Sequence, residues 1–218
     1  MKSNYVQYGC GLSSPDSWIN FDASPNLWLE RLPVLGRFYA GTKGIEGKIV
    51  RSRFPENIRY GDIVKGLPIE PNSCSGVYAS HVLEHLSLED FAIALENTIK
   101  ILKPSGLFRI IVPDLEIAAK NYLSSESETA SIDFLKSTIL GVEGRPRGYQ
   151  GLIRSFLANS NHLWMWDYKS LKYELQKVGF VQIRKANFND STDPVFADVE
   201  EEGRFIDAVA IECMKPND

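Results

Sequence analysis

The run Leu107–Val112, LFRIIV, constrains this chain more than any other stretch of it. It is apolar almost throughout, as a strand buried on both faces should be, and such strands belong to mostly parallel sheets with helices on both sides. Just upstream, Phe91, Leu95, Thr98, Ile99 and Leu102 recur at helical spacing. They predict an amphipathic helix over about Leu88 to Leu102, stopped by Lys103-Pro104-Ser105-Gly106.

The remaining elements fall into the same alternation. Tyr5–Tyr8 is a β-prone run ending at Gly9-Cys10-Gly11, and WINFD, Trp18–Asp22, reads as a second strand ending in an acid. Residues 25–57 read as a helical turn around Trp28–Leu32 followed by a loop rich in glycine and basic residues. NIRYGD gives a third strand ending at Asp62, and GVYAS, Gly76–Ser80, a fourth. Residues 113–168 mix helix and loop, broken by Gly141, Gly144, Gly148 and Gly151. DYKSLKYELQKVGF then reads as a helix with Ser170 as N-cap and Gly179 just past its end. VQIRKA and DAVAIECM are the last two strands. Strands alternating with helices, without internal repeat, predict one α/β domain over residues 1–218, carrying a substrate or lid insertion at about 113–168.

Composition narrows the partners. A net charge of -4 gives no general drive toward nucleic acid or anionic lipid, and the basic cluster Lys48, Arg51, Arg53 and Arg59 reads as a solvated loop. No apolar run approaches the roughly 18 residues of a membrane helix. The N-terminus has no signal-like apolar core, and the three cysteines form no C-x-x-C pair. The expectation is a cytoplasmic chain acting on a small molecule, with no nucleic-acid or membrane partner and no assigned oligomeric state.

In an open α/β sheet the ligand lies beyond the carboxyl ends of the strands, so the residues finishing each strand are the candidates. Gly9 and Gly11 end the first, Asp22 the second, Gly61-Asp62 the third and Ser80-His81 the fourth. A lone G-x-G marks any tight turn; the inference rests on the ordered set, continued by VYASHVLEHL and ILKPSGLFRIIVPD.

In that order the chain resembles the class I S-adenosylmethionine-dependent methyltransferases, especially the small methyltransferase type 11-like proteins. The resemblance implies a Rossmann-like, seven-stranded, mostly parallel sheet in the order 3-2-1-4-5-7-6, the last strand antiparallel, with helices on both faces. It implies S-adenosyl-L-methionine as cofactor. Tyr8, Gly9 and Gly11 would lie against its methionine part and Asp22 would bind the ribose hydroxyls. Asp62 and Ile63 would bracket the adenine, and Ser80 and His81 would border the sulfonium. The chain departs from the family in three places. Gln7 stands where an acid is usual, Ser13 replaces a third glycine, and Leu12–Ser17 is too short for the usual crossover helix. A parallel return over those residues is expected as a bare loop, since six extended residues span roughly 20 Å.

HVLEH, His81–His85, also matches the inverted zincin signature, in which two histidines hold zinc and a glutamate activates water. That signature needs a settled helix, whereas His81 directly follows a strand. Some O-methyltransferases carry a related Glu-x-x-Glu-His segment that holds a divalent ion, and His81 stands here in the place of its first Glu. Glu84 and His85 are read instead as making structural hydrogen bonds in the first turns of a helix, and no metal ligand is assigned. His81, whose ordinary pKa is near neutrality, is the expected base for the acceptor. Asp114, Arg145, Tyr149, His162 and Trp164, with Arg147, are the expected acceptor groups, of a kind suited to a sugar, carboxylate or phosphate.

The function these residues imply is methyl transfer to an oxygen or nitrogen of a small acceptor, a sugar or glycan precursor among the candidates. Two alternatives stand beside it: a non-catalytic cofactor-binding or scaffold protein, and an HxxEH metal-dependent hydrolase. A dinucleotide enzyme would need a glycine loop opening a helix, which Gly11-Leu12-Ser13-Ser14-Pro15 cannot form.

Overall fold

The computed structural model describes residues 4–32, 42–45, 48–51, 53–144 and 161–217. In chain order these form β1 (Asn4–Tyr8), β2 (Ile19–Asp22), α1 (Pro25–Glu30), β3 (Thr42–Ile45), β4 (Lys48–Arg51), β5 (Ile58–Tyr60) and β6 (Cys74–Ser80). They continue with α2 (Leu88–Ile101), β7 (Leu102–Pro113), α3 (Leu115–Ser124), α4 (Ala130–Ser137), α5 (Tyr168–Val178), β8 (Val181–Lys185) and β9 (Ala208–Met214).

Seven strands make one sheet in the order β5-β2-β1-β6-β7-β9-β8. Counted along the chain within that sheet, this is the expected 3-2-1-4-5-7-6. β9 runs antiparallel to both β7 and β8, and the other pairs are parallel. Along β7 the side chains alternate as the LFRIIV run requires. Phe108 and Ile110 join the core under the helices and Ile111 joins the core of the opposite face.

One face is covered by α2 and α5. Phe91, Ala94 and Leu95 from α2 and Leu171 and Leu175 from α5 are fully buried against Val6, Val77, Phe108 and Ile110. Caps hold both helices in place. Ser87 accepts from the Asp90 amide at the start of α2, and Asp167 accepts from the Ser170 amide at the start of α5. The N-cap of α5 is therefore Asp167, not Ser170. Ser170 is its partner in a capping box, its hydroxyl taking the Asp167 amide. Gly179 ends α5 in the left-handed region at φ 105°, as expected.

The opposite face has no long helix among the described residues. The return from β1 to β2 is parallel, with Val6, Gln7 and Tyr8 opposite Ile19, Asn20 and Phe21, and the loop between them is bare. Its carbonyls are met by side chains. Gln7 Nε2 donates to Ser13 O (3.1 Å) and to Asn20 Oδ1 (2.6 Å), and Asn20 Nδ2 donates to Pro15 O and Trp18 O (both 3.2 Å). The face itself is covered by the link 186–207 between β8 and β9, which contains 3-10 turns at Pro194–Asp198 and Glu202–Phe205. Phe196 and Val199 from this link pack on Trp18, Tyr78, Ile111 and Ala210. Tyr5 donates to Asp193 (2.7 Å), Ser17 to Asp198 (2.6 Å) and Trp18 to Val195 O (3.2 Å).

The stretch read as a loop before residue 57 instead holds the antiparallel hairpin β3–β4, whose short TKGI and KIVR runs lack the alternation that marks a longer strand. Among the described residues no helix is long and apolar enough to cross a membrane.

Candidate functional site

Because β1 and β6 pair with Tyr8 opposite Ala79, their carboxyl ends bring Gly9 and Ser80 together. Gly9 sits at φ +63°, and a Cβ there would lie 2.3 Å from Val82 Cγ2, so only glycine fits the approach of the two strand ends. Gly11, also left-handed, donates its amide to Asp22 Oδ2 (2.9 Å), while Asp22 Oδ1 accepts from the Ser24 amide (2.7 Å). These bonds fix a nearly buried carboxylate at the end of β2. Past β5, Asp62 accepts from the Val64 amide (3.0 Å) and pairs with Lys65 (3.0 Å). Ile63 is buried, its carbonyl taking the Asn97 side chain from α2 (2.8 Å).

A small, partly open cavity lies at this edge, walled by Gly9, Ser13, Tyr78, Ser80, Val199 and Arg204 among others. Gly11, Asp22, Asp62, Ile63 and His81 lie outside its walls. Tyr8 borders it, but the Tyr8 ring points into the helical face, where its hydroxyl is 3.0 Å from Thr98 Oγ1. The hydroxyls of Tyr78 and Ser80 are buried beside each other and meet no other hydrogen-bond partner among the described residues. Tyr78, Val199 and Arg204 are absent from the sequence-predicted set. The signal for the last two was the length of the connection between two antiparallel neighbours, since long links in compact domains tend to be functional.

The HVLEH segment is not a helical turn. His81 takes φ +52°, an uncommon conformation for a residue with a side chain, and Leu83–His85 is a single 3-10 turn. The zincin arrangement of two histidines on one helix is therefore not formed. His81 Nε2 lies 2.8 Å from Arg204 O and Nδ1 lies 3.7 Å from Glu84 Oε1, so both ring nitrogens face protein groups rather than the cavity. Burial lowers the His81 pKa.

Glu84 is 1% exposed, and neither carboxylate oxygen has a hydrogen-bond partner. The structural hydrogen bonds expected of its side chain are thus not made, and burial pushes its pKa up to about 8. Its main chain is well used: Glu84 O accepts from the amides of Leu163 (2.8 Å) and Trp164 (3.1 Å). His85 does make a structural bond, Nδ1 lying 3.0 Å from Asn161 O. These bonds clamp residues 161–164 onto the turn and bring buried His162 to Glu84, with Nε2 3.9 Å from Oε1. Trp164 is half-exposed beside Trp166. Asp114 caps α3 by accepting from the Glu116 amide (2.7 Å). Arg145 and Tyr149, with Arg147, lie outside the described residues.

A family model for a methyltransferase domain matches residues 44–110. Among solved structures, the CurJ carbon methyltransferase superposes with a TM-score of 0.51 at 14% identity, over 98% of this chain and 48% of that one. A Thermotoga maritima protein described as an S-adenosylmethionine-dependent methyltransferase, possible histamine N-methyltransferase, does so with a TM-score of 0.50 at 16% identity. It covers 97% of this chain and 82% of that one. The sheet carries the same strand order. The chain has the class I methyltransferase fold. This chain thus spans about half the length of the first of those structures. No curated protein matches the sequence. In the class I fold described here, Gly9, Asp22 and Ser80 all stand at the carboxyl edge of the sheet, where an open α/β sheet holds its ligand.

Proposed function

We propose that the chain binds S-adenosylmethionine along the carboxyl edge of β1, β2, β5 and β6 and transfers its methyl group to an oxygen or nitrogen of a small acceptor. The observation that carries this is the cavity beside Gly9. A backbone approach that excludes any side chain adjoins two buried hydroxyls, Tyr78 and Ser80, that have no partner but each other among the described residues. Unpaired buried polar groups are costly, and a polar ligand relieves that cost.

Asp22, oriented by the Gly11 and Ser24 amides, suits a ribose diol, and Asp62 with Ile63 suits the adenine. Arg204 carries the one positive charge among the described wall residues, and a guanidinium is matched to the carboxylate of a methionine group. The cofactor would supply an electrophilic methyl on a sulfonium, so the protein's main task is to hold a nucleophile in line with it. The region 113–168, through Asp114 and Trp164, forms the acceptor side in this reading. A sugar or glycan precursor belongs to the same proposal, resting on Arg145 and Tyr149.

Calorimetry with S-adenosylhomocysteine tests the reading. It should bind, and NAD should not. Asp22→Ala should weaken it by about 1.5–3 kcal/mol, the range for hydrogen bonds to a charged group. Arg204→Ala should weaken S-adenosylhomocysteine and leave methylthioadenosine, which lacks the amino-acid carboxylate, unchanged. Undiminished affinity in Asp22→Ala would move the ribose elsewhere. Binding with no transfer to any acceptor in a panel would leave a cofactor-binding protein rather than an enzyme.

A further inference from the structure

We propose that Glu84, His85 and His162, with His81 as a fourth side chain, form a binding site for a divalent transition-metal ion of the zinc class. The chain has three histidines, and all three converge on one buried carboxylate. Glu84 Oε1 lies 3.7 Å from His81 Nδ1, 3.9 Å from His85 Nε2 and 3.9 Å from His162 Nε2. Glu84, His85 and His162 each offer one ligand atom, and these atoms all lie within 4.8 Å of one another.

The tautomers favour a cation over a hydrogen-bonded cluster. Arg204 O and Asn161 O can only accept, so His81 Nε2 and His85 Nδ1 carry the ring protons. The nitrogens facing Glu84, His81 Nδ1 and His85 Nε2, are then lone pairs. A protonated carboxyl has one hydrogen and satisfies one of them; an ionised carboxylate satisfies neither. A metal ion satisfies all of them together. A backbone carbonyl holding the outer nitrogen is also the usual support of a ligating histidine.

The dimensions fit with modest movement. Ligands 2.0–2.1 Å from a tetrahedral zinc stand about 3.3 Å apart, so the distances to Glu84 contract by roughly half an ångström on loading. His85 and His162, within 4.8 Å of each other, close by up to about 1.5 Å, and His81 moves furthest. Imidazoles with a single carboxylate select zinc, cobalt, nickel or iron over magnesium or calcium, which prefer all-oxygen sets. The clamp of Leu163 and Trp164 on Glu84 O presets the approach of His162 from a distant part of the chain.

Cobalt titration of the untagged, chelator-stripped protein tests the site, since no other histidine exists to bind the ion. One equivalent of Co²⁺ should produce a visible ligand-field band without thiolate charge-transfer absorption. Zn²⁺ should bleach it and excess Mg²⁺ should not. Glu84→Gln and His162→Ala should each weaken Co²⁺ by roughly 100-fold or more, beyond the cost of losing a supporting contact. Should a variant fail to fold, the imidazole proton resonances of the native protein decide the matter, because those of His85 and His162 should shift with one equivalent of Zn²⁺. Co²⁺ affinity no greater than that of the denatured chain, a thiolate band, or histidine resonances indifferent to Zn²⁺ would each overturn the proposal.

Discussion

Against the sheet face carrying Val6, Phe108 and Ile110 lie α2 and α5; against the face carrying Trp18, Tyr78 and Ile111 lies the link 186–207 with two short 3-10 turns. A helix closes its own backbone hydrogen bonds, so α2 and α5 need only apolar stripes and caps to cover their side. An irregular link has no such internal supply and must have its backbone groups met by others. The polar core of the second face follows from that. Glu200 accepts from the Asn189 amide (2.7 Å), Asp190 accepts from the Asn187 amide (2.9 Å), and Arg109 donates to Asn187 O (3.0 Å). Arg109, 1% exposed in the middle of β7, then pairs with Glu200 (2.5 Å), Glu212 (2.9 Å) and Asp190 (3.1 Å). Its guanidinium anchors the covering of that face as Phe91 and Leu175 anchor the other.

The largest expected effects separate the two anchors. Arg109→Met should cost about 3–5 kcal/mol in urea unfolding, because it leaves Glu200 buried and uncompensated and Glu212 with Arg184 as its remaining cation. Adding Glu200→Gln and Glu212→Gln to it should recover much of that loss, since neutral groups no longer need the cation. Phe91→Ala on the helical face should cost a similar ~3–5 kcal/mol through its cavity, and no change in charge should recover it. If the triple variant were no more stable than Arg109→Met, the second face would be held by packing and the comparison would fail.

A smaller effect is expected where the missing crossover helix is compensated. Gln7→Ala should cost about 1–3 kcal/mol, the penalty for leaving the Ser13 carbonyl and Asn20 without their donor. Gln7→Glu sets a carboxylate against two acceptors and should be at least as harmful. Better tolerance of glutamate than of alanine would mean that the loop finds its donors elsewhere.

The sheet was legible because its signals are local. Apolar runs ending in Gly-x-Gly, Asp22, Asp62 and Ser80-His81 mark the strands, the resemblance to class I methyltransferases supplied their order, and the apolar spacing of α2 appears in its residues alone. The second face was not legible, because its covering depends on contacts between residues far apart in sequence. Arg109 reads as a blemish in an apolar run until Glu200 and Glu212 are placed beside it. Likewise the HVLEH segment announces chemistry, but that His162 completes it follows only from the main-chain clamp on Glu84. The hydrogen bonds expected of the Glu84 side chain failed for a related reason: turn and clamp use its carbonyl and leave its carboxylate unpartnered.

The smallest expected effect concerns acid. Burial, the largest single influence on Asp190, would raise its pKa. The Arg184 guanidinium, the Asn187 amide and Arg109 together outweigh it and hold the group down at about 2. Asp190 faces Arg109 from β7 and Arg184 from β8, and both arginines also pair with Glu212 from β9. A carboxylate whose folded pKa lies below its unfolded value of 3.8 adds stability that is complete above that value. The contribution falls as pH drops from 3.8 and is lost below about 2. With the side chain 30% exposed, solvent screening reduces it to about 1 kcal/mol. Urea unfolding of the protein and of Asp190→Asn should therefore differ by about that amount at pH 6, and the difference should shrink by about half as the pH is lowered to 3. A constant difference across that range would mean that Asp190 holds the link by hydrogen bonding alone. The second face would then depend on the charge of Glu200 and Glu212 but not on that of Asp190.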